Sequence, residues 1–272
     1  MAMRQRVRPQ RAAAAASRTP GLRRWAVLGA LLGMLLALLL FAPARWLAAA
    51  VAAASGQQVL LQDARGTVWN GTAQLVLSGG TGSRDQMVLP GHLDWRIRPA
   101  WLGADVHLLP DCCASAPLAA RLRLGWQRVA VTVEDHASQW PASLLQGLGA
   151  PWNTLQLDGT LTLQLRQFGW QSVQGRDLLR GTAELSLRNA SSSLTTIRPM
   201  GSYRLIMRGA ETVELTLSTD AGPLQLSGSG QWQGGRLRFA GEASAAPEHL
   251  PALSNLLSLL GRRDGPRAIL NF

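Results

Sequence analysis

The chain offers few residues arranged for covalent chemistry. Its four histidines, His92, His107, His136 and His249, stand apart, with no His-x-x-x-His or Glu-x-x-His pair. A zinc or iron site gathers such ligands on one element. The one local group with ligand chemistry is His107, Asp111, Cys112 and Cys113. Adjacent cysteines suit a tetrahedral site poorly. They have three other fates: a vicinal disulfide, free thiols, or a bridge to a partner chain. Pro110 and Asp111 favour the turn that a vicinal disulfide needs, and outside the cytoplasm an oxidised pair is expected. There is no Gly-x-Ser-x-Gly elbow, no P-loop and no dinucleotide fingerprint after a strand. The chain contains no lysine, which excludes Schiff-base and phosphate-cradling lysines. Glu134-Asp135 reads as a solvated turn. Gly79-Gly80 and Gly228/Gly230 read as turns or strand breaks. These residues predict no catalytic site, no metal, no cofactor and no small-molecule substrate.

The net charge of +11 resembles a nucleic-acid signal until its placement is considered. Arg4, Arg6, Arg8, Arg11, Arg18, Arg23 and Arg24 crowd the first 24 residues, where there is no acid. A nucleic-acid-binding domain carries its basic stripe on a folded surface. Here the cluster precedes an uncharged run, Trp25 to Ala42. As a helix that run spans roughly 27 Å, about one bilayer core. Trp25 and Trp46 bracket it at interfacial positions, and Arg45 is the lone charge just after it. The pattern predicts a cytoplasmic tail over 1–24, a transmembrane helix over 25–46 and a body outside the cytoplasm. A short helix over 44–54 leaves the membrane. The alanines of 48–54 also satisfy a signal-cleavage rule, but the apolar run exceeds the usual signal length.

From Ser55 the apolar period changes to two. Leu155, Leu157, Leu161, Leu163 and Leu165 share one face of an expected strand that Gly159 could break. Alternation recurs at Ala183/Leu185/Leu187, Tyr203/Leu205/Met207, Val213/Leu215/Leu217, Leu224/Leu226 and Leu237/Phe239. The spacing is that of a mainly β protein with a curved antiparallel sheet. Two short helices interrupt it, Pro141–Gly149 and Pro251–Gly261, each with proline at its start and glycine at its end. Leu253, Leu256, Leu257 and Leu260 form a stripe suited to covering one end of the sheet. Trp69, Trp95, Trp101, Trp126, Trp152, Trp170 and Trp232 lie on or beside strands. They are expected to anchor the core, since one indole buries ~150–250 Å²; the alternative is a stacking surface for sugar or single-stranded DNA. GTAQLVLSGG at 71–80 echoes GTAELSLRNA at 181–190. Pro117-Leu118 with Trp126-Gln127 echoes Pro223-Leu224 with Trp232-Gln233. These echoes divide the body into two similar halves, 55–165 and 170–272.

One segment carries a resemblance. ARGTVWNGTA, Ala64 to Ala73, is similar to the Gly-Thr-x-Trp-x-Gly signature of the type II secretion system protein N family. The same order of features follows: Gly91 to Pro99, RPMGSYRL at 198–205, STDAGPLQLSGSGQW at 218–232, RFAGEASA at 238–245 and LSNLLSLLGRR at 253–263. The Cys112-Cys113 pair has no counterpart in this pattern. The resemblance implies a single-pass inner-membrane accessory component of the machine that exports folded proteins across the outer membrane. Its body would be a periplasmic scaffold or assembly factor, its partners other subunits of that machine, with no nucleic acid. Gly66, Thr67, Trp69, Asn70 and Gly71 are then a structural or partner-docking motif. Gly66 and Gly71 suit turns, Trp69 suits a buried plug, and Asn70-Gly71 is a favoured tight-turn pair. A second reading is a carrier of lipid or another amphiphile, using the apolar face of the sheet as an open groove.

Overall fold

The computed structural model describes residues 20–174, 176–209, 212–233 and 236–271. Most of the basic tail, with Arg4 to Arg18, lies outside them. The chain divides into two compact units, 1–42 and 43–272.

The first unit holds α1 (Pro20–Leu40), with apolar side chains on every face. Among the described residues, no helix is long and apolar enough to cross a membrane. The helix expected over 25–46 is interrupted after Leu40. Pro43 lacks the N–H that a helix needs and pushes Ala42 toward extended backbone. Pro43 is itself extended (φ −70°, ψ 146°) and begins the second unit, where α2 (Ala44–Ala54) follows.

The body of the second unit is one 16-stranded antiparallel sheet. Its first strands are β1 (Val59–Gly66), β2 (Asn70–Ser78), β3 (Gln86–Val88), β4 (Leu93–Ala100), β5 (Gly103–Pro110), β6 (Leu118–Gly125), β7 (Arg128–Val133) and β8 (His136–Pro141). A 3₁₀ helix (Ala142–Leu148) and α3 (Trp152–Leu155) come next. Then follow β9 (Asp158–Val173), β10 (Arg176–Ser191), β11 (Gly201–Gly209), β12 (Val213–Ala221), β13 (Leu224–Gln233) and β14 (Arg236–Ala245). After α4 (Leu250–Leu260), β15 (Arg262–Asp264) and β16 (Arg267–Asn271) complete the order. Along the sheet the order is β1-β2-β4-β5-β6-β7-β9-β10-β11-β12-β13-β14-β16-β15, with β3 on β2 and β8 on β9.

This order contains one pattern twice. Strands from β1 to β7 meander into the 3₁₀ helix, and β9 returns beside β7. Strands from β9 to β14 meander into α4, and β16 returns beside β14. The echoing segments occupy equivalent places: 71–80 reaches into β2 and 181–190 into β10, while Pro117-Leu118 opens β6 as Pro223-Leu224 opens β13. The boundary expected between two halves, 165–170, falls inside β9, and the sheet runs through it unbroken. Leu155 and Leu157 were expected on the same strand as Leu161. Instead Leu155 closes α3, and Gln156 turns the chain in the left-handed region (φ 43°) before β9 begins.

Alternation sorts the sheet into two faces. Cross-strand partners share a face, so Leu163, Leu185, Leu205 and Leu217 form one apolar row. Leu122, Val131, Trp170 and Leu179 form another on the same face. Helices cover this face only in places. Leu253, Leu256 and Leu257 of α4 are fully buried against Leu224, Ala243 and Ala268. Each such leucine contributes about 1.5–3 kcal/mol by leaving water. Ala44 and Leu47 of α2 pack on Ala73, Trp95 and Ile97. Leu144 of the 3₁₀ helix packs with Leu89 and Cys113. Tyr203 is buried within hydrogen-bonding reach of the Met200 and Leu224 carbonyls, and burial pushes its phenol pKa well up.

His136, on β8, is buried, and desolvation holds its imidazole below the ordinary 6.5. The native state therefore binds fewer protons than the unfolded chain over that interval. Its contribution to stability is full above 6.5 and is lost as pH falls toward the depressed native value. His136→Gln should flatten this dependence. Thermal melts on either side of 6.5 check it; an equal drop in Tm for both proteins contradicts the assignment.

Candidate functional site

The signature residues form the β1–β2 hairpin. β1 ends at Gly66 in the left-handed region (φ +89°), which admits glycine without strain. The turn then runs from Thr67 to Asn70. Thr67 N donates to the Asn70 carbonyl at 2.9 Å, and Asn70 N donates to Thr67 Oγ1 at 3.1 Å. From β4, the indole Nε1 of Trp95 donates toward the carbonyls of Thr67 (3.2 Å) and Val68 (3.1 Å). Trp95 is 2 % exposed. Gly71 lies opposite it in the ladder, and a Cβ there would strike the indole and the Arg65 carbonyl. Ile97 N donates to the Trp69 carbonyl at 2.7 Å, and Pro43 bridges to Thr67. Two expectations shift. The buried indole is Trp95 rather than Trp69, which is only half-buried. Asn70-Gly71 already belongs to β2, because the Thr67 hydroxyl and the Trp95 indole satisfy the turn one step earlier.

A recess of about 670 Å³ opens beside this hairpin, lined by Arg65, Asn70, Asp94, Arg96, Arg98 and His107 among others. Asn70, Arg96 and His107 form one cross-strand row. Among the described residues, no ion pair engages Arg65, Arg96 or Arg98, and His107 Nδ1 is buried without a hydrogen-bond partner. Arg121 takes the neighbouring acids, Glu134 at 2.9 Å and Asp105 at 3.8 Å. The recess can hold an anionic group by charge and hydrogen bonding.

Cys112 and Cys113 are joined in a disulfide in the turn after β5. Cys113 is buried, and its carbonyl accepts from Gln139 N at 2.8 Å. Asp111 N donates to the His92 carbonyl at 3.0 Å, and His92 N lies 3.4 Å from Asp111 Oδ2. The bonded sulfurs offer no thiolate to a metal. Among the described residues, no group of three or more His, Cys, Asp or Glu could hold one.

The family model described as Type II secretion system (T2SS), protein N matches residues 57–270. The chain belongs to this family. No curated protein and no solved structure matches it. The match begins just ahead of β1 and ends within β16, so it covers the whole sheet. A T2SS protein N takes part in type II secretion, and family membership points to contact with other components of that system and to a membrane-associated location.

In this chain the tryptophans divide in a way that strand-adjacent spacing did not foretell. Trp95 anchors the core, but Trp101 is 96 % and Trp126 93 % exposed. Both occupy hairpin tips, in PAWLGA and LGWQRV, where the alternation of the flanking strands is interrupted. That interruption is the sequence signal that separates them from Trp95.

Trp95→Ala should cost about 3–5 kcal/mol. Gly71→Ala should cost about 1–3 kcal/mol through overpacking. Trp126→Ala should stay within about 0.5 kcal/mol. Denaturant titration of the detergent-solubilised protein checks this order, and equal losses at Trp95 and Trp126 contradict it.

Proposed function

We propose that this chain is a single-pass inner-membrane accessory subunit of the type II secretion machine. Its sheet serves as a periplasmic scaffold without catalysis. The family match across the entire sheet carries the reading. Support for the anchor comes from the sequence: an uncharged run from Trp25 to Ala42, apolar on every helical face, behind seven arginines. The Cys112–Cys113 disulfide suits an oxidising compartment. The recess with Arg65, Arg96 and Arg98 is a place where an acidic segment of another subunit can bind.

Deleting the chain should stop folded enzymes from crossing the outer membrane while their entry into the periplasm continues. Fractionation of cargo between periplasm and medium reads this out, and normal export in the deletion strain contradicts the assignment. Alkaline phosphatase fused after residue 272 should be active if the body is periplasmic.

The partly buried apolar rows favour a second reading, an amphiphile carrier. Leu163, Leu185, Leu205 and Leu217 line a face on which each is only partly buried. A single-layer sheet leaves such a face to a ligand or partner. The carrier reading expects acyl chains in native mass spectra of the purified chain; lipid-free protein removes it.

A further inference from the structure

The hairpin tips line up along one rim of the sheet. Backbone hydrogen bonds tie successive tips to their neighbours: Ile97 N to the Trp69 carbonyl, Leu124 N to the Leu102 carbonyl at 2.7 Å, and Gln174 N to the Gln127 carbonyl at 3.1 Å. The 3₁₀ helix, α4 and the disulfide turn occupy the opposite ends of the strands. Two adjoining tips of this rim are apolar where turns are ordinarily polar. Trp101, Leu102, Leu124 and Trp126 are all exposed on two adjoining tips. Trp232, near the tip of β13–β14, is about half exposed. Leu102 also holds φ 56°, a left-handed conformation that glycine or asparagine adopts at less cost. A bulky apolar residue in a strained, exposed turn position points to use rather than to folding.

Two further observations say what this rim meets. The flanking charges, Arg123 and Arg128, are exposed, and no ion pair engages them among the described residues. No acid lies between Leu122 and Thr132 or between Arg98 and Ala104. Moreover, the chain enters the body at this same rim. Pro43 bridges to Thr67 in the β1–β2 tip, exposed Trp46 follows in the first turn of α2, and only Phe41 and Ala42 separate Pro43 from the apolar α1. Tryptophan beside arginine, without acids, is the composition of a membrane–water interface.

We propose that this rim rests on the membrane, with Trp101, Leu102, Leu124 and Trp126 in the interfacial layer and Arg123 and Arg128 at lipid phosphates. The inference rests on α1 being an anchor, and it adds a second, peripheral contact that fixes which edge of the sheet faces the bilayer.

The test uses the full chain reconstituted into vesicles of zwitterionic and anionic phospholipid that carry nitroxide on the acyl chains. A fluorophore is placed at Trp101→Cys, at Trp126→Cys and, as a control at the other ends of the strands, at Arg84→Cys. All three sites are exposed, so the fold is not at issue, and the paired Cys112 and Cys113 do not take the label. Both tip labels should be quenched about threefold more than the control. Vesicle flotation with equal quenching at all three sites overturns the rim contact and leaves the anchor standing. Failure of the chain to float removes the anchor reading and the rim contact with it. Tip labels shielded only when other secretion subunits are added would make the rim a protein interface and also overturn the proposal.

Discussion

The hydrogen bonds from the Trp95 indole to the carbonyls of Thr67 and Val68 hold together the part of the molecule on which the rest is arranged. A buried indole N–H needs an acceptor, and here it finds the backbone of a turn instead of a side chain. The ring also fills the space against Ala44, Leu47, Ala73 and Ile97. One side chain thus fixes the signature hairpin, the strand beside it and the helix that leads into the body. Gly71 follows from this, because no side chain fits between the indole and the Arg65 carbonyl. The family signature is in this sense a packing solution, with an arginine-lined recess at its side.

The second constraint is that, among the described residues, no second layer covers the sheet. A two-layer domain buries an entire sheet face. This one is covered in patches, by α2, by the 3₁₀ helix and by α4, each of which brings its own apolar stripe. Between them the leucine rows shield one another across strands and remain partly exposed. The sheet is held by its ladder and its cross-strand pairs, so it can be long without becoming thick. It leaves an apolar face only partly covered.

Charge and exposure follow the same geometry. Once the arginine-rich tail is set aside, most of the remaining arginines point from the polar face or stand near its rim. Several are balanced locally, as Arg204 is by Glu184 and Asp220. Among the described residues, Arg65, Arg96 and Arg98 of the recess and Arg123 and Arg128 of the hairpin tips are not. Arg123 and Arg128 flank Trp126, which with Trp101 is the most exposed of the tryptophans among the described residues.

The sequence by itself determined the features that depend on neighbouring residues. Period-two alternation located the strands, because side chains on a strand must point to opposite faces. Proline and glycine marked both short helical segments, although residues 142–148 wind as a 3₁₀ helix. The uncharged run marked α1, and the vicinal cysteines marked a turn. Tertiary structure alone decided which tryptophan would be buried. Trp69 and Trp95 look alike on strand pattern, and only the docking of α2 against β1 and β2 brings Ala44 and Leu47 over one of them, Trp95. It also decided that the turn closes at Asn70 before Gly71, since an indole from 28 residues away supplies a hydrogen bond. Finally, it joined the strands on either side of β9 in one sheet and set Trp101 and Trp126 on adjoining tips. Such contacts form between residues distant in the chain, and no local pattern encodes them.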